Sequence, residues 1–514
     1  MVATTASGGG DQDCHRVMRE IWIDAPLVVQ DRIEFSLRVE PQTALYHRTT
    51  FFLRFPCPIE PALFPDRLLW LMALLCLHSH WALLRPCRVH LPVRLGEGEK
   101  ELWLRLLDAT VVTLEGNRRG NDVVRNIEIV DNSSPLDDVL PLPERGLCAA
   151  AFSGGKDSLL QAGLLAELLP ELLLVTTRSP MPPLHDHVTE RRQHVMRQIV
   201  ARRPRISLIE VESDLRASWR NDFPPSAGYQ VSVNELTDTF LYLSALLGAS
   251  WARGVTHLFL ASEAEVQENV DLDGTTVQHP HAMYSVVTQT VLSVLLSRFG
   301  IRCGSLISPL RSQQVQQLLW QRYPDLSDLQ YSCWRVAQNE AACSSCSQCL
   351  RIAFGALAIG ELPERMGIDL MKLMSTMQRW TARILGDSPL LPGDRVAVEL
   401  HAQTVRAIAA TPIRRFASAL GPRQHTMGGL LSIVRFSKLR RRMRGTVIGQ
   451  QPGYRPAYLA HVDPLVRDGV ASIYAASFPP EDSKLHEPMR QRGEMLARWI
   501  TEPLEREFAG EVVV

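Results

Sequence analysis

The chain has no excess of either charge: 55 Lys and Arg stand against 55 Asp and Glu over 514 residues. That balance excludes a global field aimed at nucleic acid or membrane, so a polyanionic partner would need a local patch. Long apolar runs are also scarce. The most apolar stretch, LLWLMALLCLHSHWALL (68–84), holds His78, Ser79 and His80 and is short and polar for a membrane span. It reads as a buried core helix. The opening MVATTASGGGDQD has neither a basic start nor an apolar core, which excludes a secretory signal there and makes residues 1–16 a loose tail. Internal repeats and long low-complexity tracts are absent. A hydrophobic content of 46% with 21% charged residues belongs to a folded protein, too long for one comfortable core.

Without a signal peptide a disulfide framework is not expected, and the compartment reads as cytoplasmic. Six of the ten cysteines are scattered: Cys14, Cys57, Cys76, Cys87, Cys148 and Cys303. The other four, Cys333, Cys343, Cys346 and Cys349, crowd together, and crowding of this kind points to metal.

Residues 17–140 predict a mostly β accessory domain. Its strand-like runs are IEFSLRVE, RTTFFLRF, CRVHLPVRL, LWLRLL and RNIEIV, broken by the apolar helix and by turn-rich pieces. DNSSPLDDVLPLPERG (131–146) reads as the linker out of it. From 147 the rhythm changes: LCAAAF, ELLLVTT, ISLIEVES and THLFLASE alternate with helical patterns of 13 to 22 residues. Such alternation predicts an α/β fold, a parallel doubly wound sheet covered on both faces, over 147–360. Ligands in such sheets bind beyond the carboxyl ends of the strands, where Ser153, Thr177, Glu212 and Glu263 should fall. Residues 361–514 predict a helical C-terminal extension, with 399–420, 428–445 and 489–508 as its helices.

Between the first of these strands and its helix stands Ser153-Gly154-Gly155-Lys156-Asp157-Ser158. A glycine-rich turn opening a helix makes an anion cradle from backbone amides. Gly154 and Gly155 allow close approach, Ser153 and Ser158 offer hydroxyls, Lys156 adds a cation, and Asp157 could hold Mg²⁺ or cap the helix. A Walker loop needs a longer span between glycine and lysine. The cysteine cluster, Cys333 followed nine residues later by Cys343-x-x-Cys346-x-x-Cys349, offers four sulfurs, the complement of a closed structural Zn²⁺ site; an iron–sulfur cluster uses the same ligands.

The spacing SGGxDS after a strand resembles the PP-loop of the N-type ATP pyrophosphatase superfamily, whose members cleave ATP between the α and β phosphates and adenylate a substrate oxygen. That superfamily also includes sulfonucleotide reductases, transfer-RNA thiolation enzymes and amidotransferases. Farther along, Ser308-Pro309-Leu310, Ser332-Cys333-Trp334, the three clustered cysteines, Arg351 and Phe354 resemble the C-terminal half of the 7-cyano-7-deazaguanine synthases (QueC-like proteins). The resemblance covers about two-fifths of the chain, 147–360. It implies an adenine nucleotide α-hydrolase-like fold, ATP and Mg²⁺ at Ser153 to Ser158 with Lys156 and Asp157 as the catalytic pair, and Zn²⁺ on Cys333, Cys343, Cys346 and Cys349. It implies activation of 7-carboxy-7-deazaguanine by ATP and its amidation.

The chain departs from those synthases after the fourth strand. ASEAEVQENVDLDGTTVQHPHAMYS carries Glu263, Glu265, Glu268, Asp271, Asp273, His279 and His281. A deazaguanine ring presents N–H donors along its pyrimidine edge, so one buried carboxylate would read it, and Glu263, nearest the strand end, is the candidate. A solvated acidic loop is at least as plain a reading of any one of these residues, Glu263 included, and the two histidines read as hydrogen-bonded surface residues. The long flanks, about 145 residues before the loop and about 150 after the cysteines, suggest a macromolecular partner. In outline the chain is similar to the larger QueC-like proteins of bacterial antiviral defence operons. The expectation is therefore an AMP-forming C–N ligase whose amine acceptor is a protein. The alternatives are nitrile formation with ammonia, transfer-RNA thiolation, or an idle nucleotide-sensing module. VRFSKLRRRMR (434–444), with Lys438 and Arg435, Arg440, Arg441, Arg442 and Arg444, could follow a nucleic-acid backbone or an acidic protein face, or be a solvated helix packed through Val434, Leu439 and Met443.

Overall fold

Short β-branched and apolar segments set beside amphipathic helices build one large mixed sheet between two helical layers. The computed structural model describes residues 17–115, 126–132, 134–137, 139–179, 186–220, 223, 233–264, 270–272, 275–277, 286–331, 333, 341–376, 404, 406–444 and 453–481. The N-terminal elements are β1 (Arg19–Ile23), β2 (Leu27–Val29), β3 (Arg32–Glu40), β4 (Thr50–Arg54), α1 (Asp66–Leu83), β5 (Cys87–Leu91), α2 (Glu97–Glu115) and β6 (Ile127–Asp131). There follow β7 (Cys148–Ala151), α3 (Lys156–Leu168), β8 (Leu172–Arg178), α4 (Asp186–Arg202), β9 (Ile206–Ser213), α5 (Val233–Trp251) and β10 (His257–Phe259). A small ribbon, β11 (Val270–Leu272) with β12 (Thr275–Val277), precedes α6 (Val286–Ser297), β13 (Arg302–Gly304), α7 (Ser312–Arg322), α8 (Pro324–Ser327) and α9 (Ser347–Ile359). The C-terminal helices are α10 (Ile413–Ala419), α11 (Met427–Arg444) and α12 (Pro464–Ser477).

The sheet has 11 strands in the order β13-β10-β7-β8-β9-β4-β3-β1-β5-β6, with β2 paired on β3. Most neighbours are parallel, and β13 to β9 are wholly so. The strand order reverses between β7 and β10, the switch point where a crevice opens beyond the carboxyl ends. The expected α/β alternation over 147–260 is present, with strand ends within a few residues of their expected positions.

One expectation is corrected, and one strand is added. LWLRLL is not a strand: it lies in the helix α2, where Leu102, Trp103, Leu106 and Leu107 form one buried stripe at helical spacing. The β1 segment, REIWI, is a strand that the sequence reading left out. The N-terminal strands also do not make a sheet of their own. β4 pairs antiparallel with β9 through Leu53↔Ser213 and Arg54↔Glu212, and Asp214 accepts the Phe52 N–H at 2.8 Å. The apolar helix α1 is buried as expected, packed on α5; Gly248 permits the approach, since a Cβ there would stand 2.8 Å from Met72 of α1. Among the described residues no helix is long and apolar enough to cross a membrane.

Beyond the cysteines the chain folds back onto the parallel half. Glu481 accepts from both Arg311 and Arg455, all three nearly buried, and the Arg455 N–H donates to the Pro309 carbonyl at 2.9 Å. Asp463 pairs with the buried His257 at 2.6 Å, and the Tyr474 hydroxyl donates to the Leu306 carbonyl. The expected 399–420 helix breaks at Thr411-Pro412, where the ring of proline cannot continue an i to i−4 ladder. The 489–508 helix and the 1–16 tail lie outside the described residues. Replacing Glu481 with Gln leaves two buried guanidinium groups without their anion, a change that costs about 3–5 kcal/mol. We expect the Glu481→Gln protein to become protease-sensitive within 453–481 while the β7–β10 core keeps its hydrogen-exchange protection; unchanged protection at 453–481 would contradict the role given to this clamp.

Candidate functional site

The loop between β7 and α3 is held open by its own polar groups. Ser158 Oγ lies 3.2 Å from Ser153 Oγ and donates to the Gly155 carbonyl at 3.1 Å. Gly154 has φ +79, a left-handed conformation that favours glycine, and its carbonyl accepts the Tyr331 N–H at 2.9 Å. Gly155 precedes α3 in an extended conformation and offers no side-chain cap, while the Ser153 and Gly155 N–H groups donate to Ser158 Oγ at 3.3 Å and Ser153 Oγ at 3.5 Å. Amides and dipole together favour an anion at this place.

Lys156 does not reach into solvent. Its Nζ lies 2.5 Å from Asp157 Oδ1 and 2.6 Å from Glu263 Oε2, with only 3% of the side chain exposed. Thus the two loop residues expected to be catalytic and the carboxylate expected to read the substrate meet at one point. Glu263 is placed by its neighbours: the Ser262 N–H donates to Ser305 Oγ at 3.1 Å, and the Ala264 N–H donates to the Leu310 carbonyl at 2.8 Å. The Ser308-Pro309-Leu310 segment therefore sets the position of Glu263 from behind.

Burial disfavours the Lys156 ammonium, but Asp157 and Glu263 outweigh it and hold the group above the ordinary lysine range. Burial pushes Asp157 up to about 6 against the pull of Lys156, and about a third of its side chain (32%) stays exposed, so solvent screens part of that effect. Arg351, on the first turn of α9, lowers both groups through its positive field; its Nη2 donates to Gln348 at 2.6 Å. The sequence reading matched Arg351 to a motif without giving it a role.

The four cysteines converge as their spacing implied. All four sulfurs lie within 4.8 Å of one another and all are buried. Sulfurs of Cys333 and Cys346 are 4.0 Å apart, Cys343 and Cys349 3.8 Å, Cys346 and Cys349 3.5 Å. Four thiolates on a tetrahedral ion at ~2.3 Å would stand roughly 3.8 Å apart, so these separations are close to those of a site that could hold Zn²⁺. Amides of Cys343 and Cys349 donate to the sulfurs of Cys333 and Cys346, and Ser344 makes the turn with φ 52. Hydrogen bonds from Cys333 and Cys349 pull the Cys346 thiol far below its ordinary range.

The other named groups are dispersed. Thr177 and Glu212 end their strands at the same sheet edge, and Glu212 pairs with Arg178. Asp271 falls in β11; Glu265, Glu268, Asp273, His279 and His281, with Ser332 and Trp334, lie outside the described residues. Cys148 stands at the amino end of β7, away from the loop, and burial pushes its thiol up to about 12. In α11, Leu439 and Met443 are buried but Val434 is not: it is 51% exposed, correcting its expected packing role. Arg435, Lys438, Arg441 and Arg444 form an exposed basic row. Compared with known proteins, the chain matches no family model and no curated sequence.

Two outcomes follow from this geometry. Metal analysis should find about one Zn²⁺ per chain, lost together with local order at 341–376 in Cys349→Ser; a metal-free but fully folded wild type would contradict the assignment. The Asp157 carboxyl, raised in the fold from 3.8 to about 6, favours its protonated form, so its contribution to stability is complete below about pH 4 and lost as pH rises through about 6. Asp157→Asn has no such titration. Its melting temperature should gain on wild type between about pH 4 and about pH 6 and level off above about pH 7; a difference flat with pH would show that burial does not perturb Asp157.

Proposed function

We propose that the chain activates the carboxylate of a 7-deazaguanine, 7-carboxy-7-deazaguanine, with ATP and joins it to an amine on a macromolecular acceptor, a protein in bacterial antiviral defence. The observation that carries this reading is the Lys156–Asp157–Glu263 group, with Lys156 and Glu263 buried, in the 153–158 loop at the switch point of the parallel part of the sheet. In the first step a carboxylate oxygen attacks the α-phosphorus of ATP, the bond to the bridging β-oxygen breaks, and pyrophosphate leaves. In the second a neutral amine attacks the acyl carbon, AMP leaves, and the amine nitrogen loses its proton. A carboxylate activated in this way reacts with any well-placed amine, so the acceptor is set by docking rather than by new chemistry.

Within this proposal the loop amides and Ser153 and Ser158 hold phosphoryl oxygens, and Lys156 turns from its carboxylates to the phosphate charge that develops as pyrophosphate leaves. Mg²⁺, held by Asp157 with the phosphates, would neutralise the leaving group. Glu263, released by that turn, accepts the N–H groups of the deazapurine edge. The Zn²⁺ would organise the wall of the site through α9 and take no part in the chemistry, because four cysteines close its coordination. The exposed row on α11 faces the acidic acceptor. A transfer-RNA thiolation enzyme is disfavoured by Cys148, whose buried thiol is the only cysteine preceding the loop in its own strand and is held far from ionisation.

Exchange of labelled pyrophosphate into ATP, measured without ammonia, should require 7-carboxy-7-deazaguanine and should fall on the order of 10²–10³-fold in Lys156→Ala. Exchange that ignores the carboxylate, or none from folded and metal-replete protein, would reject this substrate.

A further inference from the structure

Arg192 is a cation with no carboxylate in ion-pair contact among the described residues; Glu210 acts on it only from farther off. It lies on α4, one turn before Val195, whose Cγ1 would stand 3.3 Å from a Cβ placed on Gly154. Its Nη2 donates to Thr176 Oγ1 at 2.5 Å. Thr176 follows Val175 on β8, and the Val175 carbonyl accepts the Phe152 N–H at 2.8 Å, immediately before the loop. Arg192 therefore flanks the 153–158 loop from the side of β8, while Lys156 and Glu263 flank it from the side of β10.

The arginines around it have carboxylate partners and, among the described residues, Arg192 has none in ion-pair contact. Arg216 is paired with Asp238 and bonded to Tyr242, and Arg178 is paired with Glu210 and Glu212. Among the described residues the half-buried Arg192 bonds a threonine hydroxyl and no carboxylate; its Nε is enclosed without a hydrogen-bond partner, as are those of Arg178 and Arg191. Burial, with the positive field of Arg216, holds the Arg192 guanidinium below the ordinary arginine range against the opposing fields of Tyr242 and Glu210. An arginine kept for packing alone would gain from a buried acceptor, whereas one kept for a ligand must leave its fork open.

We propose that Arg192 receives an oxyanion of a polyphosphate seated on the loop. The amides of 153–158 hold one phosphoryl group, and the guanidinium fork, on the far side of Gly154, takes a second linked to it. This rests on the reading of 153–158 as a phosphate loop and narrows it: the site is built for a di- or triphosphate, inorganic or carried by a nucleoside, and not for a monophosphate alone.

The test uses Mg²⁺ pyrophosphate and AMP as probes, with calorimetry and thermal melting of the full chain as wild type, Arg192→Gln and Arg192→Lys. Wild type should bind pyrophosphate, and Arg192→Gln should lose on the order of 10- to 100-fold in affinity. Arg192→Lys, which keeps the charge but not the fork, should fall between them, and AMP affinity should be the same in all three. Without ligand, Arg192→Gln should melt at or above the wild-type temperature, because half-buried Arg192 has no carboxylate contact to lose; a structural arginine would lower it. Equal pyrophosphate affinity in wild type and Arg192→Gln overturns the role of Arg192 while leaving the phosphate loop intact. An equal loss for AMP overturns the second phosphoryl site. Failure of wild type to bind pyrophosphate at all overturns the loop reading and this inference with it.

Discussion

A buried ammonium requires anions, and much of the candidate site follows from how the fold supplies them to Lys156. One partner, Asp157, is its neighbour in the loop; the other, Glu263, comes from 107 residues away. Bringing Glu263 there needs β10 beside β7, and holding it there needs the 305–310 segment behind it. That segment is in turn braced by the C-terminal return, through Arg455 on Pro309 and Tyr474 on Leu306. One ion pair thus links the loop, the switch point of the sheet and a part of the chain almost 200 residues downstream.

The cysteine cluster acts on the same point from the opposite side. Tyr331, two residues before Cys333, donates its N–H to the carbonyl of Gly154, and Arg351, two residues after Cys349, projects its charge onto Lys156 and Asp157. A metal on these four sulfurs would fix the relation between both contacts, since their spacing matches a tetrahedral ion and is far too long for disulfides. A metal held there would act as a structural rivet of the 153–158 loop.

Local patterns made the central βα units and the cysteine cluster legible, because strand and helix periods and CxxC turns are short-range signals. LWLRLL misled because leucine and tryptophan suit strand and helix alike, and only the burial stripe over 102–107 separates them. The continuous sheet was not legible: β4 and β9 are about 160 residues apart, and nothing local marks Leu53 as the partner of Ser213. Glu263 was picked out as nearest the strand end, but its bond to Lys156 depends on tertiary closure. Arg192 had no signal at all, since a helical arginine in TERRQH reads as solvated until its neighbours are known.

The proposal that the site joins a carboxylate to AMP turns on which oxygen travels. Heavy oxygen placed in the carboxylate of 7-carboxy-7-deazaguanine gives the most direct reading, with AMP analysed by mass after turnover with ATP and an amine. The account predicts one heavy oxygen in each AMP formed, because the carboxylate oxygen leaves bonded to the α-phosphorus. AMP free of the label would contradict it and would assign the cleavage of ATP to a different nucleophile.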